Sequence, residues 1–64
     1  MAKKLGVLVA RSIVAGDVQT ARELARRLTS VSVAEGRAIT GAIRFSNDRF
    51  GSDLSVQEFI SLHF

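Results

Sequence analysis

Apolar and polar residues are distributed along the chain in four stretches, and each stretch predicts a helix. The first covers about residues 2–14, with apolar Leu5, Val7, Leu8, Val9, Ala10, Ile13 and Val14. Positions 5, 8/9 and 13 follow a helical period, and the near-continuous run fits a buried strand equally well. Four of these residues (Val7, Val9, Ile13, Val14) are β-branched, which favours a strand. A strand needs a partner, and no second strand is visible in the sequence, so a helix is the preferred reading. A strand paired across a dimer is the alternative.

Ala15-Gly16-Asp17 breaks the pattern. Gly16 suits a left-handed residue after a helix, and Asp17 suits the cap of the next one. That second helix is expected over 17–30, where Val18, Ala21, Leu24, Ala25 and Leu28 form one stripe and Arg22, Glu23, Arg26 and Arg27 lie off it. Glu23 precedes Arg27 by one turn, the favourable order for a surface ion pair.

A third helix is expected over 32–47. Ser32-Val33-Ala34-Glu35 is a capping box, in which the Ser side chain and the Glu side chain satisfy each other's backbone amides. Ile39, Ala42, Ile43 and Ser46 continue it, and Gly51 is an alternative stop beyond Phe50. Ala34, Ala38 and Ala42 recur every four residues, with Gly36 and Gly41 between them. Each Gly weakens a helix interior by about 1 kcal/mol relative to Ala. Two of them in one helix imply a close-packed face or a bend. A polar, turn-forming stretch over 46–53 leads to a fourth helix, expected over 55–63. Ser55-Val56-Gln57-Glu58 is a second capping box, and Leu54 and Phe59 occupy the positions of a hydrophobic staple around it. Val56, Phe59, Ile60 and Phe64 make its inner face. The expected fold is therefore all-α, a small bundle of about four short helices in a single domain over 1–64. The alternative keeps the helices and replaces the first with a strand.

Length changes how this bundle is stabilised. At 64 residues, with 47% apolar content and eight Ala but only four aromatics, the core is small and built of small pieces. A domain of this size buries only about 60% of its unfolded surface. The chain has no Cys, so disulfides and thiolate metal sites are excluded, and its single His, His63, cannot build a zinc site. A second copy of the chain is the remaining support. Val7, Ile13, Ala38, Ala42, Phe50 and Phe64 are the residues expected at such a homo-oligomer interface. The longest apolar stretch is interrupted by Arg11 and Ser12 and falls well short of the ~20 residues of a membrane span. A cytoplasmic protein is expected. Shallow membrane docking of 1–14 behind Lys3 and Lys4 is a third, less economical reading.

Charge is uneven. Residues 1–32 carry Lys3, Lys4, Arg11, Arg22, Arg26 and Arg27 against Asp17 and Glu23, a net of +4, whereas residues 33–64 sum to −1. Seven of the nine basic residues are Arg, which grips phosphate and carboxylate in two-pronged fashion. Lys3, Lys4, Arg22, Arg26 and Arg27 are candidate phosphate contacts, with Arg37 and Arg44 nearer any base edge. The same charges also suit a solvated surface or an acidic protein partner. Catalytic chemistry has no footing here. His63 has no adjacent carboxylate, the glycines form no phosphate loop, and Asp17, Glu35 and Glu58 are accounted for as caps. No enzyme activity, cofactor or metal is expected.

Leu24-Ala25-Arg26-Arg27-Leu28-Thr29-Ser30-Val31-Ser32, followed by Glu35 and Ala38-Ile39, resembles the two helices of ribbon-helix-helix DNA-binding proteins. That resemblance implies an intertwined dimer with a strand drawn from Lys4 to Ile13. Ala21 to Leu28 also resembles the first helix of a helix-turn-helix, which implies reading by Glu35, Arg37, Thr40 and Arg44. Ala15-Gly16-Asp17 with Ala21 is similar to the turn of a tetratricopeptide-type hairpin. Two functions follow as expectations. One is a small non-enzymatic regulator that binds nucleic acid as a homodimer or higher oligomer. The other is a helical protein–protein interaction module, an adaptor, inhibitor or scaffold with no nucleic-acid binding, anchored by Phe45, Phe50, Phe59 and Phe64.

Overall fold

In a computed structural model describing residues 5–60, four helices form in the expected order: α1 (Leu5–Val14), α2 (Val18–Ala25), α3 (Val33–Phe50) and α4 (Val56–Ile60). The fold is all-α. The ambiguous first stretch is helical, so a helix stands where the alternative reading required a strand. Gly6, Val9, Ala10 and Ile13 form the buried stripe of α1, and Val7, Arg11 and Val14 form the exposed one alongside it. Helical spacing separates these two faces cleanly, whereas a strand would have split Val7 and Val9 from Ala10.

Helix α1 is the hub. It packs along both α2 and α3, α4 closes against both of those, and α2 and α3 make little direct contact. The core is one cluster of Val9, Ala10, Ile13, Ala21, Ala25, Leu28, Ile39, Ala42, Ile43 and Phe59, with Leu5, Val18, Leu24, Leu54 and Ile60 among the residues packed around it. Phe59 is the largest side chain in it and is fully buried.

Helix ends follow local chemistry, with three departures from the expected boundaries. Gly16 sits at φ 83°, and Asp17 accepts a 3.2 Å hydrogen bond from the Thr20 amide, so α1 ends and α2 begins as the sequence implies. Helix α2 is shorter than 17–30. After Ala25 the amides of Arg27 and Leu28 turn back to Leu24 and Ala25, three residues away, which tightens the last turn and carries Leu28 into the core. Helix α3 runs past 47 to Phe50 and stops at Gly51, which takes φ 67°. Asn47 explains the extension. Its amide nitrogen donates to the Leu54 carbonyl at 3.1 Å and its carbonyl accepts from the Leu54 amide at 3.0 Å, so it pins the returning loop while staying helical. At the preceding position, the buried Ser46 hydroxyl lies 3.3 Å from that of Ser52. At α4 the second capping box is replaced. The Glu58 amide donates to the Ser55 carbonyl, and the Glu58 carboxylate turns to Arg22 instead. Residues 61–64, including His63 and Phe64, and Lys3 and Lys4 at the other end lie outside the described residues.

Candidate functional site

The outer face of α3 is the most distinctive surface of the molecule. Ala34, Arg37, Ala38, Gly41, Arg44, Phe45 and Asp48 recur at helical spacing and are exposed, while Ile39, Ala42, Ile43 and Ser46 on the other side are buried. The exposed ridge divides two open grooves. One, of about 590 Å³, lies between α1 and α3, walled by Val7, Ala10, Arg11 and Val14 on one side and Arg37, Ala38, Gly41, Ala42 and Phe45 on the other. The second, of about 620 Å³, is bounded by Val31 to Val33, by Gly36, Arg37, Thr40, Gly41 and Arg44 of α3, and by Ile60. Arg37 and Gly41 belong to both. Among the described residues, the only charged side chains on either lining are Arg11, Arg37 and Arg44.

The position of α3 relative to α1 is set by one side chain. Glu35 closes the capping box, with Oε1 accepting from the Ser32 amide at 2.9 Å and its own amide donating to Ser32 Oγ at 3.2 Å. Its second oxygen, Oε2, accepts from the Gly6 amide of α1 at 3.1 Å. One carboxylate thus caps α3 and satisfies a first-turn amide of α1, where the partial positive charges of both helix starts favour an anion. Contact is close enough that a Cβ placed on Gly6 would lie 2.7 Å from the Glu35 Cβ. Gly6 is therefore what brings the two helices together at this end.

At the far end of the α1–α3 groove the aromatic residues gather. Phe45 and Phe50 meet edge to face with ring centroids 6.5 Å apart, and the Arg49 guanidinium lies 6.0 Å from the Phe45 centroid. Phe50 also leans over the α1–α2 turn beside Gly16. Both rings stay half open to solvent, Phe45 at 44% and Phe50 at 52%, as do Val7 at 39% and Val14 at 45%.

Among the described residues the candidate cations divide between two clefts, Arg22 and Arg26 on one and Arg37 and Arg44 on the other. Arg22 pairs with Glu58, and the two line a small polar cleft with Ala25 and Arg26. Arg27 is exposed in the turn after α2, and Arg37 and Arg44 stand on α3. The residues expected at an interface also divide. Val7, Ala38 and Phe50 are exposed, and Val7 and Ala38 share the α1–α3 groove. Ile13 is fully buried and Ala42 nearly so, both in the chain's own core, so in this fold they have little or no surface to give a second copy. The exposed stripe Val7–Arg11–Val14 was legible only once α1 was known to be a helix. Among the described residues no three His, Cys, Asp or Glu side chains gather as a metal site would require, and no helix is long and apolar enough to cross a membrane. No protein-family model, no curated protein and no solved structure matches this chain.

Proposed function

We propose that this protein is a non-enzymatic interaction module that presents the ridge of α3 and the α1–α3 groove to another protein. The observation that carries the reading is the groove itself. Val7, Val14, Ala38 and Phe45 line it with apolar surface that the chain's own helices leave uncovered. A contiguous apolar surface rimmed by charge is the usual mark of a protein contact. A weak, transient interface buries up to about 600 Å² per partner. That is roughly an eighth of the 4496 Å² surface of this chain, so a partner seated in the grooves must also cover the α3 ridge and its rim.

Nucleic-acid binding is the second reading, favoured by the exposure of all seven Arg side chains. Against it, Arg22 is engaged by Glu58, and Arg26 and Arg37 line separate clefts. A photoreactive phenylalanine derivative placed at position 38 in cells that make the protein separates the two, with position 19 on α2 as the control. A protein adduct formed at 38 and absent at 19 is the expected result. An adduct at 38 that nuclease removes, or no adduct there at all, refutes the module reading.

A further inference from the structure

We propose that the occupant of the α1–α3 groove is an acidic amphipathic helix of a partner protein; this rests on the module reading above. The walls set the shape. On α1 the groove uses Val7, Ala10, Arg11 and Val14, and on α3 it uses Ala38, Gly41, Ala42 and Phe45, so each wall runs from i to i+7 in three- and four-residue steps. Seven residues of helix span about 10 Å, which matches two turns of a helix laid between them. The backbone of both walls is already hydrogen-bonded within its own helix. An extended peptide would therefore find no edge for its amides and carbonyls, whereas a helix satisfies its own.

Charge sets the chemistry. Arg11 rims the α1 side and Arg37 the α3 side, Arg44 follows on the adjoining groove, and among the described residues no carboxylate lies on either lining. Acidic residues flanking the apolar stripe of the incoming helix pair with these three cations. A second copy of this chain is a poor occupant. Two-fold pairing brings Arg11 and Arg37 to the rim twice, and Asp48, the carboxylate exposed on the α3 ridge, lies beyond Phe45 and off the groove lining.

Gly41 supplies an independent pointer. A Cβ there would meet nothing within 4 Å, so the chain's own packing gives no reason for Gly in mid-helix. A helix crossing close over the α3 ridge gives one, because a missing side chain admits the partner's backbone.

The probe is a fluorescent, Ala-based helical peptide of about four turns with leucines spaced four and three residues apart and glutamates on both flanks. Its twin carries lysines in place of the glutamates. Fluorescence anisotropy with the full chain at low salt should show the glutamate peptide binding at least about tenfold more tightly, with the preference shrinking as salt rises. Arg11→Glu combined with Arg37→Glu, both exposed positions, should reverse the preference. Ala38→Leu, which adds bulk to the exposed α3 wall of the groove, should weaken both peptides by about tenfold without lowering helicity. Equal binding of the two peptides, an unreversed preference, or binding untouched by Ala38→Leu overturns the proposal. So does displacement of the glutamate peptide by duplex DNA, or a chain dimer that excludes it. A protein adduct at position 38 together with equal peptide binding sinks the acidic helix and leaves the module reading standing; loss of that adduct sinks both.

Discussion

Replacing Gly6 with Ala should destabilise the protein, although Ala is the better helix former. Ala gains at most about 1 kcal/mol over Gly inside a helix, and less in the first turn. Against this stands a Cβ 2.7 Å from the Glu35 Cβ, 2.9 Å from Cγ and 2.8 Å from Oε2. The Glu35 Cβ is fixed to the backbone of α3, so rotating the side chain relieves the contacts with Cγ and Oε2 but not this one. Overpacking of this kind costs about 1–3 kcal/mol. Pushing α3 away also stretches the part-buried bond from the Gly6 amide to Oε2, worth about 1 kcal/mol or more because the acceptor is charged. The sum is a loss of about 1–3 kcal/mol, which in a domain of this size lowers Tm by roughly 5–20 °C. Thermal unfolding followed by circular dichroism measures it. A double-mutant cycle then locates the cause. In a Glu35→Ala background most of the cost should persist, because the Cβ contact remains. In a Glu35→Gly background it should vanish. A Gly6→Ala protein as stable as the parent, or one equally rescued by both backgrounds, would refute the account of how α1 and α3 are held.

Three further outcomes test the rest of the fold. Gly41→Ala should raise stability by up to about 1 kcal/mol, since the new methyl meets open space and helix propensity is recovered, and chemical denaturation reads it as a higher midpoint at unchanged slope. Asn47→Ala removes both hydrogen bonds to Leu54 and should cost about 1–3 kcal/mol, with amide exchange accelerating first over residues 51–60, because the loop that delivers Phe59 to the core loses its clamp. Glu58→Gln breaks the pair with Arg22, whose side chains are 34% and 52% exposed, and should change stability by less than about 1 kcal/mol; a larger loss would mean that the α2–α4 contact depends on this pair.

What the sequence made legible was local. The Ser32–Glu35 box, the Asp17 cap and the left-handed Gly16 each depend on residues within one turn of each other, and each forms as their spacing implies. What it hid was tertiary. Glu35 reads as a cap for its own helix, and nothing in the spacing signals that its second oxygen serves Gly6, 29 residues earlier. The Ser55–Glu58 box is as clear in sequence as the first, yet the Glu58 carboxylate is taken by Arg22 across the bundle. Helix α2 loses its last turn because three-residue hydrogen bonds bring Leu28 into the core, a choice made by packing rather than propensity. The interface residues show the same limit, since Ile13 and Ala38 are both apolar positions on helices and the arrangement of α1 and α3 decides which is buried and which is open.

Glycine brings these threads to one point. Gly6 and Gly41 weaken their helices by the same local mechanism, and both suggest close approach. The fold uses only one of them. Gly6 is filled by Glu35, and that contact draws α1 and α3 together at one end, while Gly41 lies open on the ridge between the grooves. The close-packed face expected from Ala34, Ala38 and Ala42 is likewise divided, with Ala42 serving the chain's own core and Ala34 and Ala38 facing outward. The Gly41→Ala variant then separates two explanations. If the open glycine is incidental, the substitution stabilises the fold and leaves binding of the glutamate peptide unchanged. If a helix crosses there, the same substitution stabilises the fold and weakens that binding, opposite effects that no general loss of structure produces.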